Sequence, residues 1–400
     1  MSHRKFPAAG WAALACALAI LLGGIAALAG AEQEGRVLRN ASTKITPDWR
    51  LLEPARYENI SLFPVVARAA GSTDDFVTLD AALASGDAIV TERGTEMIRR
   101  SRDGRPSYPP AYNPSTMPMP LPRPVPQGAS VNELVLVYRG KKPLVLLAGE
   151  VVTGGKQDRV ISKDRIVPPG ADPIPLDVFC VERGRWSAGA QFTASKFMAH
   201  PSVRERAAVD QEQGKVWDAV RSGTTSSTVA ASEPVAAPRM SRDAVAGTIQ
   251  NEARSESYAK IYGSTRVGRS LETFVAEAQR RWARAAGAAK EPVIGVVVAY
   301  NGEVAWADVF ASASLFEAYW PKLLRSYATE ALARPTAKEI ASLDDALDFL
   351  RPAAGREVVE SEPGVYRWRQ VTEGRYAEIA LEALAPRQVV LHWVKIQRTS

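Results

Sequence analysis

The stretch Leu146-Leu147-Ala148-Gly149-Glu150-Val151-Val152-Thr153-Gly154-Gly155-Lys156-Gln157-Asp158-Arg159-Val160-Ile161 decides how this chain is read. Apolar runs of strand length are cut by glycines, and charged residues cluster at the cuts. The same grammar extends on both sides. Leu134–Tyr138 precedes Gly140-Lys141-Lys142 and Pro143–Leu147, which read as a hairpin. Arg165–Val167 and the alternating Ile174–Val181 run follow, punctuated by Pro168-Pro169-Gly170. Residues 131–186 are therefore expected to build a mostly antiparallel β-layer.

Outward from this centre the pattern becomes mixed. Ile60–Val66 and Phe76–Leu79 read as strands, with Asp80 capping a short Ala/Leu helix that Gly86 ends. Ser202 is read as the cap of a helix over Val203–Val220. Ser270 caps another, with Leu271, Phe274, Val275, Ala278 and Trp282 on one face. Val293–Tyr300, Asn301-Gly302 and Glu303–Phe310 form a hairpin signal, since Asn-Gly suits a type I′ turn. Apolar residues from Leu315 to Tyr327 recur at helical spacing, with Pro321 either kinking that helix or starting its second half. Three strand signals close the chain, near 365–371, 375–381 and 389–396. The fold class that follows is α+β: a mostly antiparallel central β-layer, flanking helices and a C-terminal β-β-α-α-β unit.

The chain has 400 residues, 46% hydrophobic and 24% charged, an ordinary globular composition. The net charge is +6, and no basic cluster is laced with aromatics, so no nucleic-acid partner is expected. Residues 1–31 open with Arg4 and Lys5, continue as an apolar run and end in Ala29-Gly30-Ala31, the form of a signal peptide. Export to the periplasm or outside the cell is expected. A signal anchor is the alternative, and a membrane is a partner only if that segment stays uncleaved. Removal of the signal takes Cys16 with it and leaves Cys180 as the mature chain's one thiol. No C-x-x-C, H-x-x-x-H or H-E-x-x-H occurs, so no metal site is expected, and no cofactor follows from these residues.

Two stretches read as insertions. Residues 106–126 hold nine prolines in 21 positions, an extended surface segment through which a protein partner could be met. Residues 223–239 are a Ser/Thr/Ala-rich linker.

Chemistry-bearing residues concentrate between Gly149 and Trp186. Lys156, Arg159 and Arg185 are read as holding an anion and Gln157 as orienting it. Glu150 and Glu182 are the candidates for proton transfer. The alternative is that these charges pair and brace loops between sheets. Gly-Gly-Lys is not a phosphate-binding P-loop, lacking both the upstream glycine and the following Ser/Thr.

The central string, with Val167-Pro168-Pro169-Gly170 and Cys180-Val181-Glu182-Arg183-Gly184-Arg185-Trp186, resembles the ARG and rhodanese-phosphatase-superfamily-associated protein domain, where ARG stands for ADP-ribosylglycohydrolase. Asn59–Pro64 with Thr78–Leu83 is similar to the family's opening, and Ile294–Val298, Asn301-Gly302 and Lys322–Ala328 to its later blocks. The resemblance covers residues 57–395. The family name records association and implies no reaction; the charged residues themselves point to an anionic small-molecule ligand, nucleotide-like or ADP-ribose-like, and the alternative is a non-catalytic envelope interaction or structural module. Asp158 stands where the family usually has Asn.

Overall fold

The computed structural model describes residues 49–68, 70–93, 99–100, 106–107, 133–171, 173–182, 191–222, 265–334, 336 and 339–398. The signal segment, the 223–239 linker and all but Pro106 and Ser107 of the proline-rich stretch lie outside the described residues, and so does Arg185.

In chain order the strands are β1 Trp49–Leu51, β2 Ala55–Tyr57, β3 Ile60–Ala67, β4 Val77–Thr78, β5 Ala88–Glu92, β6 Arg99–Arg100, β7 Pro106–Ser107, β8 Glu133–Tyr138, β9 Leu144–Leu146 and β10 Glu150–Gly154. They continue as β11 Arg159–Ile161, β12 Arg165–Val167, β13 Ile174–Cys180, β14 Gln191–Met198, β15 Val293–Tyr300, β16 Glu303–Phe310, β17 Arg356–Glu362, β18 Tyr366–Glu373, β19 Tyr376–Ala383 and β20 Val389–Gln397. The helices are α1 Leu79–Ser85, α2 Pro201–Glu205, α3 Gln213–Ser222, α4 Thr265–Ala286, α5 Ala313–Ala333 and α6 Leu343–Phe349, with a π-helical turn at Arg206–Asp210.

The fold is α+β. A nine-stranded antiparallel sheet runs β1-β3-β15-β16-β20-β19-β18-β17, with β2 also on β3. The central segment closes into a six-stranded barrel, β10-β11-β13-β8-β5-β14, and closure removes its edges. A small sheet, β12-β9-β4, holds the one parallel pairing among the described strands, β4 with β9.

Strand alternation sorts the cores. Val90, Leu136, Val152, Ile161, Leu176 and Phe192 fill the barrel. Val151, Val160 and Met198 point out of it, into one apolar cluster with α4, α5 and one face of the large sheet. The opposite sheet face packs on α6 through Phe63, Val297, Phe349 and Trp393.

Several local readings change. Leu134–Tyr138 and Pro143–Leu147 are not a hairpin: β8 pairs with β5 and β13, and β9 with β12 and β4. Tyr138 folds over Gly140, where a Cβ would meet its hydroxyl at 2.1 Å, and donates to Lys142 O, so the chain is led away from β8. The helix expected over 203–220 begins at Pro201 with His200 as N-cap and breaks at Gln211, whose φ is 54°. The Ser202 hydroxyl instead donates to Glu330 Oε1 on α5 at 2.7 Å. Thr78, not Asp80, caps α1 through its hydroxyl. α4 starts at Thr265, five residues before Ser270, and α5 runs on through Pro321. The Asn301-Gly302 turn is as expected, with φ of 50° and 82° joining Tyr300 to Glu303. Four strands follow the last helix, because β17 joins the three signalled by sequence.

Candidate functional site

β10 leaves the barrel at Gly154 and the chain returns at Arg159. Three carboxylates pin the intervening turn by its backbone. Asp158 Oδ1 accepts from Gly154 N at 3.0 Å, Glu92 Oε1 from Lys156 N at 2.8 Å, and Glu182 Oε2 from Asp158 N at 3.1 Å. Gly155, at φ 52°, leaves no room for a side chain, since a Cβ would sit 2.1 Å from the Phe192 ring.

Arg159 lies two residues from the inward-facing Ile161, so alternation turns it into this end of the barrel. It is 1% exposed. Its Nη1 donates to Gln157 O at 2.8 Å and to Gln157 Oε1 at 3.3 Å. Its Nη2 is 3.9 Å from Glu92 Oε1, and its Nε makes no hydrogen bond. Cys180 is its cross-strand partner. Burial pushes the Cys180 thiol pKa up, against Arg159 and with Glu92. Lys156 is exposed, with no ion-pair partner among the described residues.

Lys156, Gln157, Arg159 and Glu182 thus share one end of the barrel. Glu150 does not join them. It starts β10, about 13 Å along the strand from Gly154 at roughly 3.3 Å per residue. There it meets α5. Glu150 is fully buried, Oε2 accepts from Leu147 N at 2.8 Å, and Oε1 has no hydrogen bond. Lys322 Nζ lies 3.8 Å from that oxygen and 2.5 Å from Asp80 Oδ1. Burial raises the Glu150 pKa to about 7; Lys322 opposes the rise and Asp80 adds to it. Lys322 thus stands between the buried Glu150 and the half-exposed Asp80.

A third polar group locks the barrel to the sheet. Asp308 on β16 receives both arms of Arg204, at 2.9 and 3.0 Å, and the Trp306 indole at 2.7 Å. It also accepts from the Tyr327 hydroxyl and lies 2.9 Å from His392 Nε2. His392 Nδ1 is 2.6 Å from Asp164 Oδ2, whose other oxygen accepts from Ala148 N at 2.7 Å. Burial lowers the His392 pKa, but the two carboxylates outweigh it and bring it up to about 9. Burial raises the Asp308 pKa, but Arg204 and His392 outweigh that and hold it far below the usual range. Two cations and two anions face each other here beside a cavity of about 10 Å³, room for about one water. Gly149, at φ 93°, passes so close that a Cβ would meet Arg204 Cγ at 2.5 Å.

Lys322, Arg204, Asp308, Asp164 and His392 are not site residues in the sequence analysis, and Asp80 figures there only as a helix cap. Asp308 carried a readable signal: an acid inside the apolar Val304–Phe310 run. Asp80 and Lys322 carried another, since both lie inside blocks that resemble the family.

Residues 48–396 match the ARG and Rhodanese-Phosphatase-superfamily-associated Protein domain. The chain belongs to this family. The match spans the sheet and the barrel together, so the family's unit is the whole described fold and neither half alone. Asp80, Glu150 and Lys322 come from its opening, central and later blocks and meet at one point. No curated protein and no solved structure matches the chain. Among the described residues no group of three or more His, Cys, Asp or Glu is placed to hold a metal ion, and no helix is long and apolar enough to cross a membrane.

Proposed function

We propose that this family member is an exported protein that binds an anionic small molecule, nucleotide-like or ADP-ribose-like, at the Lys156 end of the barrel. The observation that carries the reading is the division of labour in the 154–158 turn. Glu92, Asp158 and Glu182 are engaged by backbone N–H groups, while Lys156 is exposed to solvent, three residues before the buried Arg159. A rigid turn presenting a cation loses little entropy when it meets an anion. Arg185, three residues beyond Glu182 in sequence and outside the described residues, is kept in the proposal on its sequence position alone. Gln157 and Arg159 hold the turn's shape. The reading is one of binding: Glu150 sits too far down β10 to act on the same ligand, and Glu182 serves the turn. Arg4, Lys5 and the apolar run after them support export.

The test is thermal unfolding of the mature chain with ADP-ribose or inorganic phosphate. Saturable stabilisation that Lys156→Ala removes, without change in the unliganded melting temperature, supports the reading. No stabilisation by either probe contradicts it.

A second reading, an envelope interaction module, has its own observation. β17 is an edge of the nine-stranded sheet, and Val358 and Val359 are 38% and 43% exposed on its opposite faces. Antiparallel pairing with a second copy centred on Val359 would set Arg356 against Glu362. Sedimentation of a dimer that Val359→Lys dissociates would favour it; a monomer at all concentrations would remove it.

A further inference from the structure

The sheet face that packs on α6 carries an open cavity of about 630 Å³, lined by α6, the chain after it and the turns at Gly302 and Gly374. That volume lies in the range of small-molecule sites, about 300–1,000 Å³. Lys395 of β20 lines it. Two residues after Trp393, alternation turns Lys395 toward the α6 side, and it is 4% exposed.

The Lys395 ammonium is incompletely satisfied. Nζ donates to Arg351 O and lies 5.7 Å from the Phe349 ring centroid and 5.4 Å from that of Tyr376. An ammonium has three donors, and Lys395 has no other hydrogen-bond acceptor among the described residues. The acids nearby have other work. Glu378, its cross-strand partner, accepts from Ala353 N at 3.0 Å and faces Arg369 at 3.8 Å. Glu373 accepts from Ala354 N at 2.7 Å. Around the cavity, Asp348 pairs with Arg351 at 2.7 Å, Glu303 with Arg375 at 3.7 Å, and Asp345 closes the capping box of α6. A cation this buried is costly until an anionic oxygen meets it.

We propose that this cavity is a second binding site, taking a small organic carboxylate whose oxygen meets Lys395 and whose apolar body lies against Phe349 and Tyr376. Arg351 and Arg375 line the opening, each beside an acid of its own, so recognition of the anion rests on Lys395. Burial lowers the Lys395 pKa against the pull of Glu378 and Glu373, and a bound carboxylate reverses that shift. The site is separate from the Lys156 turn and does not depend on it.

Benzoate is the probe. Calorimetric titration of the mature chain should show saturable binding, weakened at least tenfold by Lys395→Gln, as expected when one charge-assisted hydrogen bond is lost. Arg375→Glu changes a side chain 62% exposed; it should weaken binding without moving the melting temperature. Should Lys395→Gln not fold, acylation of Lys395 by a succinimidyl ester, followed by mass spectrometry, serves on the wild type, and benzoate should slow it. Absence of saturable benzoate binding overturns the proposal. So does a folded Lys395→Gln variant that binds as the wild type does, or acylation of Lys395 that benzoate leaves unchanged.

Discussion

Replacing Glu150 by Gln should change how stability depends on pH, and the size of the change follows from its surroundings. Burial holds the Glu150 pKa at about 7 in the folded chain, against 4.5 for the free side chain. The folded state therefore favours the protonated carboxyl. Its contribution to stability is complete below the unfolded value and is lost as pH rises through 7. The span is worth about 3 kcal/mol, at roughly 1.4 kcal/mol per pKa unit. Gln keeps the shape and the neutral state and still accepts from Leu147 N, while Lys322 retains Asp80 at 2.5 Å. The stability of Glu150→Gln relative to wild type should therefore rise by about 2.5 kcal/mol between about pH 5 and about pH 8. Urea unfolding of both proteins across that interval measures it. A difference that stays flat, or one that falls with pH, would refute the argument and with it the assignment of Glu150 as a buried proton-holding group.

Further outcomes follow from the other two polar groups. Asp308→Asn leaves Arg204 and His392 buried without their shared anion, and denaturant unfolding should show a loss of about 3–5 kcal/mol. His392, at about 9 against 6.5 when unfolded, should contribute about 3 kcal/mol that is complete below 6.5 and lost as pH rises through 9; imidazole NMR titration and unfolding above pH 7 check this. Arg159→Ala should lower the melting temperature while Lys156→Ala leaves it unchanged, because the first side chain is buried against Glu92 and the second faces solvent. If the proposed export holds, mass spectrometry of the protein recovered from its own cells should find the N-terminus at Glu32, and an intact Met1 would refute cleavage.

Local pattern carried what depends on neighbours in sequence. The apolar stripe Leu271, Phe274, Ala278 and Trp282 put the buried face of α4 in view, and Asn301-Gly302 placed the β15–β16 turn. What failed was pairing. Gly140-Lys141-Lys142 has the composition of a hairpin turn, yet β8 and β9 enter different sheets, because partner choice rests on side chains far away in sequence. β17, with charges around Val358 and Val359, shows no alternation because both its faces are wet. Sequence proximity misled in the site itself. Glu150 and Lys156 are six positions apart, but an extended strand separates them and delivers Glu150 to Lys322, 172 positions on. The Arg204–Asp308–His392 group was illegible for the same reason, since its members lie on three elements, 84 to 188 positions apart, that only the assembled fold brings together.

The most direct test of the proposed function is calorimetric titration of the mature chain with ADP-ribose at low ionic strength. It should be repeated on Lys156→Ala, on Arg185→Ala and on Lys290→Ala as an exposed-lysine control. Saturable binding that the first two substitutions weaken at least tenfold, and the third leaves alone, is the expected result. Binding of equal strength in all four proteins, or none in the wild type, would contradict an anion site at the Lys156 end of the barrel.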